Sequence, residues 1–311
     1  MAEVTDLTLI DSYALGYKAY HNATDQQQNY LACLQQHIPT ALQRLQLGKN
    51  KPRFNILSIG AGDGFIDQEI LKIVQEGYLN AGDKQLQEVE ILNTAVEPNT
   101  AFLCQYKESI ERPSDVAKGP SNQRSVKFDL KPMSFEEYAK SKRDQNLGQN
   151  QYDLVHAIHS LYYVDSMEST LKHCYHNELA EKGLIVCLLG DNSNLPTATG
   201  KILEKFRSKC QGKHCRNAAA NFIHFAEKNS MKYEKVVVPF SVDVTSVFDE
   251  SSEQGGHLLD FCTHEVNFRQ TADPDELKEI LNMFQENSTE DCNGRMIVNA
   301  TNELIFIYKT S

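Results

Sequence analysis

The turn Gly60-Ala61-Gly62-Asp63-Gly64 constrains this chain more than any other segment. Strand-forming residues over 54–59 run into it, and an amphipathic stretch over 66–77 leaves it. The order is strand, tight turn, helix. Glycines stand where backbone has to approach a ligand closely, or where no side chain fits. A second apolar strand, over 89–96, closes on Glu97 and Pro98. An acidic residue at the end of that strand is placed to accept hydrogen bonds from both hydroxyls of a ribose.

The spacing narrows the ligand. The pattern G-x-G-x-G lacks the third glycine of a dinucleotide fingerprint, and no Gly-Lys-Ser/Thr phosphate cradle accompanies it. It suits a nucleoside without a pyrophosphate, such as S-adenosyl-L-methionine. The glycines by themselves also fit a strand–helix corner that needs them for packing alone. Glu97, in phase with them, favours the nucleoside.

The 311 residues carry 41% hydrophobic and 23% charged side chains, enough to bury a sizeable core. A formal net charge of −11 argues against nucleic acid or an anionic membrane as partner and is compatible with a cationic small molecule. No apolar run reaches the length of a membrane span, and residues 1–6 lack a basic region and a signal core. A cytoplasmic protein is expected, acting as a monomer. The eight cysteines are scattered and read as reduced, structural thiols. Cys210, His214 and Cys215 cluster without a second ligand pair, so no metal is expected.

From residue 54 onward strands and helices alternate. Strands are predicted over 54–59, 89–96, 125–130, 152–159 and 184–189, with helices over 66–77, 99–110, 134–141 and 167–181. Such alternation implies an α/β fold with a mostly parallel sheet covered on both faces. A polar connection follows over 111–124, and a helix is read over 199–209. Beyond lies a long β stretch, 233–244, and a hairpin of 296–299 with 304–308 around Thr301 and Asn302, its last strand an antiparallel neighbour in the sheet. The first fifty residues form a helical lead-in with a clear amphipathic helix over 29–45. The expected organisation is a lead-in or lid over 1–50, a ligand-binding domain over 51–244 and 287–311, and an inserted substrate lobe over 245–286 that opens with the acidic loop 249–256.

In an open parallel sheet, ligands bind beyond the carboxyl ends of the strands where strand order reverses. Gly60–Gly64, Glu97, the Ser134–Phe135 pair and 158–163 are therefore expected to converge. In the last of these, His159 closes an apolar strand and Tyr162 and Tyr163 follow. Tyrosine faces attract a sulfonium or a cationic substrate by about 0.5–2 kcal/mol; alternatively they anchor the helix of 167–181. Asp63 and Asp67 either favour the first helix's N-terminus or hold a cofactor amine, with Asp67 assigned to the helix dipole. Tyr13, Tyr17 and Tyr20 share one helical face in the lead-in, followed by Asp25. They read equally as core packing and as an aromatic lid with a carboxylate over a small cation.

Leu57–Gly64, Ala95–Pro98 with Tyr106-Lys107, Tyr152–Val164, Asp260-Phe261-Cys262-Thr263 and Asn267-Phe268 together resemble histamine N-methyltransferases. The resemblance runs from about residue 13 to the C-terminus, and its most specific segment is H-x-I-x-x-L-Y-Y-V, His156 to Val164. It implies a class I (Rossmann-like) methyltransferase fold with a seven-stranded sheet, S-adenosyl-L-methionine as donor, and an imidazole ring nitrogen as acceptor. By correspondence Gly60, Glu97 and Ile158 contact the cofactor. A family glutamine falls on Phe102, and a family serine falls on Phe135 with Ser134 beside it.

On the substrate side the family's carboxylate falls on Asp25, its glutamine on His159 and its asparagine on Asn302. The family's tryptophans have no counterpart in a chain without tryptophan. Tyr20, Cys215, Tyr162, Tyr163 and Phe261 correspond to pocket lining. Two changed polar contacts imply altered substrate choice, because an unmatched partner leaves buried polar atoms unpaired.

Overall fold

The structure is a computed structural model that describes residues 11–81, 86, 88–111, 126–144, 151–190 and 218–310. The chain divides into two compact units: Leu31–Leu189 with Asn221–Val236 and Leu304–Ser311, and Met1–Tyr30 with Gly190–Ala220 and Val237–Glu303.

The larger unit is built on a parallel sheet. Its strands are β1 (Arg53–Ile59), β2 (Glu90–Val96), β3 (Val126–Lys131), β4 (Tyr152–Ile158) and β5 (Leu179–Gly190), joined at one side by β8 (Met296–Lys309) and β6 (Lys232–Asp243). Strand order is β3-β2-β1-β4-β5-β8-β6, and the pairs β1/β2, β2/β3, β1/β4 and β4/β5 are all parallel. Phe54, Ile56, Leu57 and Leu154 are fully buried, as continuous apolar strands in a doubly covered sheet have to be.

Helices α3 (Phe65–Val74), α4 (Thr100–Glu111), α5 (Phe135–Asp144) and α6 (Met167–His173) connect the strands; α1 (Asp11–Ala23) and α2 (Gln26–Leu45) precede them. In α3 the spacing of Asp67, Ile70, Leu71 and Val74 points one face inward. Ser166 starts α6 by accepting the Ser169 amide at 3.2 Å. The chain runs outward from β1 to β3 and returns on the other side at β4. Strand order therefore reverses between β1 and β4, next to the Gly60 turn.

The smaller unit has its own core, which includes Ala19, Val242, Leu258, Phe268, Ile280 and Phe284. It contains α1, α8 (Glu253–Thr263), α9 (Phe268–Thr271), α10 (Pro274–Asn287) and the short β7 (Ser288–Glu290), which pairs antiparallel with Val298–Met296 of β8. Helix α7 (Ala218–Lys228) lies between β5 and β6 in sequence. Asp273 caps α10 by accepting the Asp275 amide at 2.9 Å, with Pro274 opening the helix.

Two local expectations are corrected. The segment expected as a hairpin is one continuous strand, β8, with Thr301 and Asn302 inside it. Its antiparallel partner at the start is β7, which lengthens the sheet to eight strands. The α-helix expected over 167–181 stops at His173, widens into a π-turn over Cys174–Glu178, and passes directly into β5 at Leu179. The helix expected over 199–209 lies outside the described residues. No helix among the described residues is long and apolar enough to cross a membrane.

Candidate functional site

The turn after β1 holds three left-handed glycines: Gly60 (φ 69°), Gly62 (φ 58°) and Gly64 (φ 81°). They are needed for different reasons. A Cβ at Gly64 would lie 2.1 Å from the Tyr106 ring, and one at Gly60 2.4 Å from Ser160 Cβ, so both admit neighbouring side chains. A Cβ at Gly62 would meet nothing within 4 Å. That side of the turn is open.

Glu97 sits against the same turn. Its Oε2 accepts the Gly62 amide at 2.9 Å and its Oε1 accepts the Asn99 amide at 2.8 Å. The carboxylate is thus fixed between the glycine turn and the start of α4, with lone pairs remaining on both oxygens. Burial raises its pKa above the ordinary value; the two amides pull it back and the charge of Asp67 adds to the rise. Asn99 in turn caps α4, its Oδ1 accepting the Ala101 and Phe102 amides at 2.9 and 3.3 Å.

Asp67 is not a surface complement to the helix dipole. It is 1% exposed and takes hydrogen bonds from Ser58 (2.6 Å), Asn93 (2.9 Å) and Tyr106 (2.9 Å). His156 Nε2 stands 3.6 Å away, too far for a hydrogen bond, and burial lowers the pKa of that ring despite the nearby carboxylate. Sequence reasoning missed this cluster; its one trace was polar residues inside otherwise apolar strands. Asp63 is exposed and accepts the Phe65 amide at 3.1 Å.

His159 follows β4 with a left-handed backbone (φ 54°), uncommon outside glycine and concentrated at functional sites. Its amide donates to the Leu188 carbonyl at 3.1 Å. Burial pushes the ring down to about 4, so it is neutral at physiological pH. Tyr162 stacks on it with ring centroids 6.2 Å apart, its hydroxyl 3.5 Å from Nδ1, and Tyr163 meets Tyr162 edge-on. Tyr163 is exposed and Tyr162 half-buried. Ile158, half-buried, ends β4 opposite Leu188.

Ser134 and Glu137 form a reciprocal capping box at α5, the Ser134 amide donating to Glu137 Oε2 at 2.8 Å and the Glu137 amide to Ser134 Oγ at 3.2 Å. Phe135 is buried, edge-on to His173 at 5.8 Å. Phe102 is half-buried.

Other expected residues belong to the smaller unit. Tyr20 stacks on Phe261 (4.6 Å, 26°), and Tyr17, 42% exposed, tilts against the same ring at 6.2 Å. His264 lies stacked at 6.4 Å beyond. Gly16 lets the helices meet, since a Cβ there would be 3.2 Å from Phe261 Cβ. Tyr13 lies on α1 as well. Asp25 accepts the Ser241 amide on Oδ1 at 2.7 Å and is exposed. Asn302, in β8, is buried and its Nδ2 has no hydrogen-bond partner among the described residues. Cys215, with Cys210 and His214, lies outside the described residues.

No protein-family model matches the chain. Its curated relatives include the histamine N-methyltransferase of Cavia porcellus, 29% identical over 277 residues, covering 88% of this chain and 87% of that one. The histamine N-methyltransferase of Danio rerio is 25% identical over 307 residues, covering 96% and 97%. The chain is similar to histamine N-methyltransferases over most of its length. The chain is also similar to carnosine N-methyltransferase 2 of Gallus gallus, 28% identical over 227 residues, covering 73% of this chain and 65% of that one. Among solved structures, loganic acid methyltransferase with SAH superposes with a TM-score of 0.57 at 15% identity, covering 92% of this chain and 95% of the other. The fold is that of a class I methyltransferase.

Proposed function

We propose that this chain is an S-adenosyl-L-methionine-dependent N-methyltransferase acting on a ring nitrogen of histamine or of a related imidazole or amine compound. The carrying observation is the Glu97 carboxylate, oriented by the Gly62 and Asn99 amides beside the open flank of the turn. A nucleoside fits there: its ribose hydroxyls meet the remaining lone pairs of Glu97, and Gly62 presents no side chain to the approach. Gly60, Gly64, Ile158, Phe102 and the Ser134–Phe135 corner complete the proposed cofactor surface. Similarity to histamine and carnosine N-methyltransferases supports a small-molecule enzyme.

When bound, S-adenosyl-L-methionine supplies an electrophilic methyl group on a sulfonium. The chain's own task is to hold an acceptor nitrogen in line with it and to keep water away. His159 is neutral, so its ring can orient the acceptor ring by a hydrogen bond, and the product's proton leaves to solvent. The buried Nδ2 of Asn302 suits an acceptor atom on a ligand. Tyr13, Tyr17, Tyr20, Phe261, Tyr162, Tyr163 and Cys215 are assigned to substrate lining, and Asp25 to the substrate cation. The changes at Asp25 and His159 from the family pattern favour an acceptor other than histamine as the best substrate.

A second reading, a silent relative that binds a small amine or cofactor, rests on the same departures from the family pattern at Asp25 and His159; Asp25 accepts the Ser241 amide on Oδ1 and keeps lone pairs for a cation. Transfer of labelled methyl across histamine, histidine, imidazole dipeptides and simple alkyl or aryl amines separates the two. Turnover on an imidazole compound supports the enzyme; cofactor binding without turnover on any acceptor supports the silent relative.

A further inference from the structure

Two carboxylates beside the glycine turn link the same two helices. Glu97 joins the amide of Gly62, just before α3, to that of Asn99, just before α4. Asp67, in the first turn of α3, receives the hydroxyl of Tyr106 from α4 at 2.9 Å. Asn93 of β2 donates to both members of this second link, at 2.9 Å each. The Tyr106 ring also fills the space where a Gly64 side chain would begin. Five elements, β1, β2, β4, α3 and α4, thus meet at one buried carboxylate.

A carboxylate held by two amides keeps its orientation only while those amides keep their separation. The amides of Gly62 and Asn99 lie at the starts of α3 and α4, and the Asp67–Tyr106 bond couples these helices. We propose that Asp67 and Tyr106 are positioning residues for cofactor binding, locking α3 to α4 so that Glu97 presents its free lone pairs in one geometry. The proposal rests on the reading of Glu97 as the ribose acceptor. It assigns Tyr106 no contact with cofactor.

The test is Tyr106→Phe, which removes the hydroxyl and keeps the ring under Gly64. Losing one buried hydrogen bond predicts a weakening of S-adenosylhomocysteine binding, and a rise in the KM for S-adenosylmethionine, of about 5–20-fold, with kcat within about twofold. Asp67→Asn, which keeps the shape and drops the charge, gives the same split and serves if Tyr106→Phe does not fold. Tyr78→Phe is the control for stability alone: its buried hydroxyl donates to the Leu47 carbonyl at 2.7 Å, away from the turn. It is expected to lower the melting temperature and leave cofactor affinity unchanged. Wild-type affinity in Tyr106→Phe and Asp67→Asn, or an equal loss in Tyr78→Phe, overturns the positioning role. Failure of the wild-type protein to bind S-adenosylhomocysteine removes the reading of the site itself.

Discussion

Glu97 and Gly62 are joined by a 2.9 Å hydrogen bond from the glycine amide to the carboxylate, and the same glycine has an empty flank where a side chain would stand. In the proposed site, the turn that leaves room for a ligand also orients the carboxylate assigned to bind it. Replacing Glu97 by Gln removes the charge and forces one amide donor toward a site that presents two. Charged hydrogen bonds contribute about 1.5–3 kcal/mol, so S-adenosylhomocysteine affinity is expected to fall roughly 10–100-fold, read by calorimetric titration. Because burial raises the Glu97 pKa, binding should weaken with acid at a pH above the ordinary glutamate value of 4.5. The sign follows from the ionised form being the acceptor: affinity is full above the raised pKa and is lost as pH falls through it.

The glycines should not respond alike to alanine. Gly64→Ala drives a Cβ into the Tyr106 ring and costs several kcal/mol, visible as a large drop in melting temperature. Gly62→Ala meets no neighbour and carries the left-handed backbone cost of about 1–2 kcal/mol. It should fold yet bind cofactor more weakly, since its new methyl occupies the open flank.

For His159 the expected signature lies in pH dependence. With its ring pushed down to about 4, it does not change charge between pH 5 and 8. The acidic limb of kcat/KM should therefore follow the imidazole of the substrate, near pH 6.5, and persist in His159→Gln. His159→Ala should lower kcat/KM by about 10–100-fold while cofactor affinity holds. Folding stability has the opposite origin. The unfolded chain takes a proton near 6.5 that the folded ring refuses, so this contribution to stability is full above that pH and declines toward about 4.

Asn302 buries an amide nitrogen without a partner among the described residues, a cost of about 1–3 kcal/mol that a ligand would remove. Asn302→Ala is accordingly expected to change the melting temperature little and to raise the KM of the methyl acceptor about tenfold. A large loss of stability with unchanged KM would mark the residue as structural.

Much of the sheet was legible because strands β1, β2 and β4 are apolar runs bounded by turn residues, and the glycine turn is written in a few adjacent letters. The Asp67 cluster was not. Its members Ser58, Asn93, Tyr106 and His156 come from separate elements, and only the tertiary fold brings them to one carboxylate. Thr301 and Asn302 read as a turn because polar residues favour turns, whereas burial in β8 overrides that preference. The α6–β5 junction was missed because the π-turn from Cys174 to Glu178 continues the helical pattern past His173, and β5 begins at Leu179. Its glutamate is held there by Lys142 at 2.6 Å and His173 at 3.0 Å, partners no local pattern discloses.

The most direct test of the account uses S-adenosylmethionine carrying a carbon-13 methyl, incubated with the purified protein and either histamine or an imidazole dipeptide, with the product followed by NMR. The account predicts a new methyl resonance on an imidazole ring nitrogen, formed faster on the better acceptor and more slowly in His159→Ala. A methyl found on no acceptor, in a protein that still binds S-adenosylhomocysteine, would contradict it.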